Sequence, residues 1–177
     1  ESLVPVENEI LLLGKDKFYN LSVNSKDGNS DQKSYLISLI KNKLSGYKLL
    51  IDADSAEYSD SIDYNILFKN VVFKTVYKSI YNDNLLGTKM VNRVISVSYD
   101  VIITDERTSS QIFNKNFNKK TEDSFKIDEQ NLVEDRRYNF SQSNLPEESS
   151  LNKVIYPAVI ILASAIAIIL FFTIRSK

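Results

Sequence analysis

The residues best suited to chemistry are Asp52-Ala53-Asp54, with Glu57 and Asp60 close behind. Clustered carboxylates suit a hard cation such as calcium. The twelve-residue calcium-loop pattern with its central glycine is missing, so the stretch reads as a solvated acidic loop, and no metal site is expected. The run TEDSFKIDEQNLVED, residues 121–135, is also acidic and has no ligand spacing. The chain contains no histidine and no cysteine, which removes Ser-His, Cys-His and His-metal chemistry from it. A Ser-Lys pair is formally open, but no motif points to one. The glycines, at 14, 28, 46 and 87, are scattered and form no phosphate-cradling loop. No cofactor is expected, and the chain reads as non-enzymatic.

What remains is binding. Ten tyrosines and nine phenylalanines invite a recognition surface, yet Tyr64, Phe68, Phe73, Tyr77 and Tyr99 stand at strand spacing. Core and cross-strand packing accounts for them better. Tyr138 and Phe140 either dock the segment that follows or meet lipid headgroups; the residues alone leave both open. Arg136-Arg137 reads as an ordinary exposed pair. The net charge is −1 and there is no basic stripe, so no nucleic-acid partner is expected. A small-molecule ligand is not expected either. Asn20-Leu21-Ser22 and Asn139-Phe140-Ser141 fit the glycosylation sequon, which carries no meaning in a bacterium.

Several elements hold these residues in place. EILLLG (9–14) and KFYNLSV (17–23) read as two short strands. NSKDGNSD (24–31) is a loop, in which Ser30 or Asp31 caps a helix over 32–44. Leu36, Ile40 and Leu44, with Ile37 beside them, form one apolar face of that helix, and Gly46 stops it. YKLLID (47–52) is a strand and ADSAEYSDS (53–61) a polar connection. Tyr64, Ile66 and Phe68 alternate on even numbers, while Val71, Phe73 and Tyr77 do so on odd ones. A bulge at Lys69-Asn70 reconciles the two. In 90–104 Val91, Ile95, Val97, Tyr99, Val101 and Ile103 share a face; QIFNKNF (111–117) returns beside it. The fold class expected is α+β: an antiparallel sheet with one amphipathic helix packed on it, plus a single C-terminal transmembrane helix.

That last expectation rests on VIYPAVIILASAIAIILFFTIRSK, 154–177, in which no charge occurs between Val154 and Ile174. Such a run is long enough for the roughly 30 Å hydrocarbon core. Arg175 and Lys177 then hold the C-terminus in the cytoplasm, and Ala158, Ala163, Ser164, Ala165 and Ala167 let a neighbouring helix approach. The organisation expected is an extracytoplasmic domain over 1–140, a polar linker over 141–153, a membrane helix over 154–174 and a cytoplasmic tail over 175–177. Export requires a leader, so a sequence starting at Glu1 reads as the mature form of a precursor. The lack of cysteine in an exported domain points to a bacterial envelope, periplasmic in location.

The order helix, short strand, DSIDYNILFKNVVFKTVY, then RVISVSYDVIITDERTSSQIFNKNF resembles bacterial envelope accessory domains. These are of the curli-secretion-channel and penicillin-binding-protein-activator lipoprotein type. Asp63-Tyr64 matches the Asp-Tyr that opens a long strand there. Asp105-Glu106-Arg107-Thr108-Ser109 matches an Asp-x-x-Thr-Gly turn, with Ser109 in place of glycine. The resemblance implies a non-enzymatic accessory or structural subunit of a membrane-protein assembly in the cell envelope. Its expected partners are other envelope membrane proteins and the lipid bilayer. A ligand-binding or sensing module, with its pocket between helix 32–44 and the sheet, is the alternative.

Overall fold

The computed structural model describes residues 3–53, 61–84, 87–147 and 150–175. In chain order they form α1 (Val4–Leu13), β1 (Phe18–Ser25), α2 (Ser30–Lys43), β2 (Lys48–Ile51), β3 (Tyr64–Asn82), β4 (Lys89–Asp105), β5 (Ser110–Lys126), α3 (Gln130–Val133) and α4 (Ser150–Arg175). Short 3-10 turns lie at Ile127–Glu129 and Asn139–Ser141. The strands make a sheet in the order β2-β1-β3-β4-β5.

The sheet is mixed, not antiparallel as expected. β1 runs parallel to β2, Phe18 opposite Lys48 and Leu21 opposite Ile51, and parallel to β3, Tyr19 opposite Tyr64 and Val23 opposite Phe68. α2 lies between β1 and β2 in the chain, and a helix-length crossover is what parallel neighbours require. β3 to β4 and β4 to β5 are joined through residues 83–88 and 106–109, connections too short for a parallel crossover, so these pairs are antiparallel. Tyr19, Asn20, Leu21 and Val23 of β1 are all buried, as befits an inner strand.

The second correction concerns the N-terminus. Residues Val4–Leu13 are helical, with a proline at the first turn, where its fixed φ suits the helix. A continuous apolar run such as Ile10–Leu13 has no period of its own to separate strand from helix. Val6 and Ile10, one turn apart, carry the buried face of α1, while Leu12 is 81% exposed.

α2 follows its expected face: Leu36 and Ile40, with Leu44 at the C-cap, are buried. Its cap is one residue earlier than expected. Asn29 Oδ1 accepts from the amides of Asp31 (2.9 Å) and Gln32 (3.3 Å), an arrangement that contributes about 1 kcal/mol. The bulge lies where the change of parity put it. Phe68 pairs with Val23 and Val71 with Ser25, which leaves Lys69 and Asn70 opposite one residue; Asn70 takes a φ of 53°.

The chain divides into two units: residues 1–75, 95–121 and 134–142, and residues 76–94, 122–133 and 143–177. The first holds the main core. Val6 and Ile10 of α1, Leu36 and Ile40 of α2, and Tyr19, Leu21, Ile66, Phe68, Tyr99, Val101 and Ile103 of the inner strands pack together. Phe113 and Phe117 of β5 pack against it in the expected phase. Within the same unit Tyr138 and Phe140 pack edge-on against Tyr35 of α2 at 5.0 and 5.2 Å between ring centres, and Phe140 lies tilted against Phe73 at 5.3 Å. They dock their segment to the domain, which resolves the choice that the sequence leaves open.

The second unit has a smaller core of Tyr77, Ile80, Val91 and Phe125. Arg93 braces it. Its guanidinium makes two bonds to Asp123, at 2.8 and 2.5 Å, donates to the Val133 carbonyl and lies over the Phe125 ring. The buried parity of β4 slips here, since Val94 is buried where Ile95 was expected.

α4 starts at Ser150, so Pro157 falls inside it. The expected transmembrane helix over 154–174 is not upheld: among the described residues no helix is long and apolar enough to cross a membrane.

Candidate functional site: a polar groove and the latch beside it

With α1 and α2 on one face of the sheet, the alternate side chains of β1, β3 and β4 point to the other. There Asn20 and Ser22 of β1, Asn65 and Leu67 of β3, and Ile102 and Thr104 of β4, with Ala53 and Glu106, line a groove of about 380 Å³. Asn20 is buried, and its carboxamide is engaged on both sides: Nδ2 donates to the Ala53 carbonyl at 3.3 Å and Oδ1 accepts from the Ala53 amide at 3.1 Å. Asn65 Nδ2 donates to Glu106 Oε1. Asn20 therefore has no accessible amide to serve as a glycosylation acceptor.

The pocket expected between helix 32–44 and the sheet is filled. The space bounded by Ile40, Leu44, Ile66 and Phe68 is closed by Val6 and Ile10 of α1, which leaves about 10 Å³, the room of a single water. The unforeseen helix displaced the candidate site to the opposite face.

Next to the groove stands a latch built on Asp63, whose side chain is only 13% exposed. Its Oδ2 accepts from the Phe18 amide at 3.0 Å, and its Oδ1 pairs with Lys17 (3.5 Å) and with Arg107. Its backbone joins both neighbours too: its amide donates to the Phe18 carbonyl, and its carbonyl accepts from the Glu106 amide, each at 3.0 Å. One residue thus ties the start of β1, the start of β3 and the β4–β5 turn. The Phe18 amide, followed by the charges of Lys17 and Arg107, holds the Asp63 carboxyl below the usual carboxylate range.

The turn itself is organised by Asp105, whose Oδ1 accepts from the amides of Arg107 (2.9 Å) and Thr108 (3.2 Å). Ser109 adopts a φ of 53°, a left-handed conformation that favours glycine and costs other residues about 1–2 kcal/mol. Ser109→Gly is expected to raise stability by about 1 kcal/mol after glycine's own entropy loss, read as a higher midpoint in urea; a lower midpoint would show that the turn is held by the serine side chain.

Further along the same face Asp100 accepts from Asn116 Nδ2 at 2.6 Å and from Asn70 Nδ2 at 2.7 Å. These two bonds lower its pKa, Asn116 first. The left-handed bulge residue Asn70 is thereby connected to β4, and through Asp100 to β5.

The acidic stretch singled out by spacing is only partly described. Asp52, with a φ of 47°, is ion-paired with Lys33 at 2.8 Å; Asp54, Glu57 and Asp60 lie outside the described residues. Among the described residues no three acidic, histidine or cysteine side chains cluster as metal ligands. Ala158, Ala163, Ser164, Ala165 and Ala167 are all exposed along α4. Ser164 Oγ donates to the Ile160 carbonyl at 2.8 Å and Thr173 Oγ1 to that of Ile169 at 2.7 Å, so both hydroxyls bond within their own helix. Arg175 ends α4, and Lys177 lies outside the described residues.

The class so defined is an α+β domain on a mixed sheet, with helices on one face and a polar groove on the other. The chain matches no family model and no curated protein sequence. Among solved structures it is similar to a neuraminyllactose-binding hemagglutinin homolog from Helicobacter pylori, at 10% identity and a TM-score of 0.38, over 61% of this chain and 67% of that one. A minor lipoprotein from Acinetobacter baumannii is similar at 12% identity and a TM-score of 0.35, over 63% of this chain and 67% of that one. A lipoprotein from Neisseria meningitidis is similar at 11% identity and a TM-score of 0.32, over 84% and 99% respectively. The last two are bacterial lipoproteins, and no curli-secretion or penicillin-binding-protein-activator protein is among the three.

Proposed function

We propose that this protein is a non-enzymatic accessory or structural subunit of a bacterial cell-envelope assembly. It acts outside the cytoplasm and associates with other envelope proteins. The observation that carries the reading is the surface of α4. Ile160, Ile161, Leu162, Ile168, Ile169, Leu170, Phe171 and Phe172 are each more than half exposed. A helix that is apolar all round belongs in a covered environment, and exposed apolar surface of this extent marks a site of association. The partner offers an apolar surface of its own. The absence of cysteine, in a chain whose sequence resembles bacterial envelope accessory domains, supports the placement in a bacterial envelope.

A photo-crosslinking residue placed at Ile161 or Ile169 in the full chain, in intact cells, tests this. The expected result is a discrete adduct with another envelope protein, which also co-purifies in mild detergent and is lost from Ile161→Lys. A full chain that purifies without detergent as a stable monomer and gives no adduct would overturn the proposal.

A further inference from the structure

From the groove on the open sheet face we infer that the domain binds a primary aliphatic ammonium group carried on a methylene stem, whether a free amine or a peptide lysine. The inference does not depend on α4 or on the association proposed for it. The side-chain amides already donate within the wall, Asn20 Nδ2 to the Ala53 carbonyl and Asn65 Nδ2 to Glu106. Among the described residues that line the groove there is no lysine or arginine, and Glu106 is the one charged side chain. The wall therefore carries a net negative charge, and Glu106 remains a carboxylate acceptor with its second oxygen. Thr104 and Ser22 add hydroxyl oxygens able to accept. Between these polar groups Leu67 and Ile102 provide an apolar strip. Acceptors around a fixed carboxylate, with an apolar strip beside them, suit an ammonium head on a hydrocarbon stem, because such a stem packs on apolar surface while its head keeps polar partners. The volume, about 380 Å³, is within the range of small-ligand sites. The Asn65–Glu106 bond holds the carboxylate in place, and the Asp63 latch beside it ties the same turn to β1 and β3.

The test is an NMR titration of the full chain in mild detergent with spermidine, with Nα-acetyl-lysine N-methylamide, and with glutarate as the anionic counterpart. Saturable amide shifts at Ser22, Asn65 and Thr104 are expected with an amine and not with glutarate. Spermidine binding alone assigns the site to free amines, and binding of the lysine amide as well assigns it to a peptide side chain. Glu106→Gln preserves the shape and removes the charge, and is expected to weaken binding about tenfold, the usual effect of losing a charged hydrogen bond. Thr104→Val leaves the Asn65–Glu106 bond untouched and serves if the first variant does not fold; a several-fold loss is expected. Glu129→Gln, elsewhere on the chain, is expected to change nothing. Absence of saturable shifts, binding of glutarate, or equal losses in Glu106→Gln and Glu129→Gln would each overturn the inference, the last by showing only general attraction to acidic surface.

Discussion

Replacing Phe68 with alanine is expected to destabilise the first unit by about 3–5 kcal/mol, the range for a fully buried phenylalanine. Phe68 is 0% exposed. It stands on β3 just before the bulge, opposite Val23, with its ring centre 5.3 Å from that of Tyr99 on β4. It also bounds the small space closed by Val6 and Ile10 of α1 and by Ile40 and Leu44 of α2. Strands and helices meet at this side chain, and the surrounding core cannot collapse into the volume it leaves without moving several elements, which places the cost toward the upper part of the range. The chain has no tryptophan, so the measurement is urea unfolding of the full chain followed by far-UV circular dichroism. Ile112, 39% exposed on β5, is the control: its change to alanine should stay within about 0.5 kcal/mol. Equal midpoints for Phe68→Ala and the parent chain would show that this core is not close-packed.

The next largest effect is expected at Asp63. Asp63→Asn keeps the shape but removes the charge that Lys17 and Arg107 face and weakens the acceptor for the Phe18 amide. A loss of about 1–2 kcal/mol at neutral pH is expected, because hydrogen bonds to a charged group are the stronger kind; the exposure of Arg107 (69%) keeps its share small. The sign of the pH dependence follows from the direction of the shift. The Asp63 pKa is lower in the folded chain than in the unfolded one, so its contribution is complete above the unfolded value of about 3.9 and disappears as the pH falls through the lower folded value. Parent and Asp63→Asn should therefore differ at pH 7 and converge in acid, below the unfolded carboxylate value. A difference that persists unchanged in acid would mean that the substitution acts through packing and not through charge.

The two predictions separate what was legible in the residues from what was not. Phe68 and its alternation with Ile66 are visible in the even-numbered pattern, and the bulge in the shift to odd numbers at Val71; both are local signals with a period of two. The face of α2 is equally local, with Leu36, Ile40 and Leu44 one turn apart. The helix α1 is not legible in the residues, because Ile10–Leu13 is apolar without a period and only the packing of Val6 and Ile10 in the core reveals which face it uses. Asp63 stands in an Asp-Tyr pair that resembles a strand opening, but its partners Phe18 and Arg107 are 45 and 44 residues away, and no local pattern encodes such a separation. The expectation of a membrane span over 154–174 rests on hydropathy along the chain, whereas among the described residues no helix is long and apolar enough to cross a membrane.

By itself the sequence determined the properties that depend on neighbours along the chain: the exclusion of histidine and cysteine chemistry, the amphipathic face of α2, the alternation in β3 and β4, the place of the bulge, and the apolar character of the C-terminal run. The tertiary structure alone decided which strands pair and in which direction, that α1 fills the space beneath α2, and that Asn20, Asn65 and Glu106, far apart in the chain, border one groove. The physical reason is that periodicity records which face of an element is apolar, whereas strand pairing and the siting of a groove depend on contacts between distant segments, whose partners are chosen only when the whole core closes.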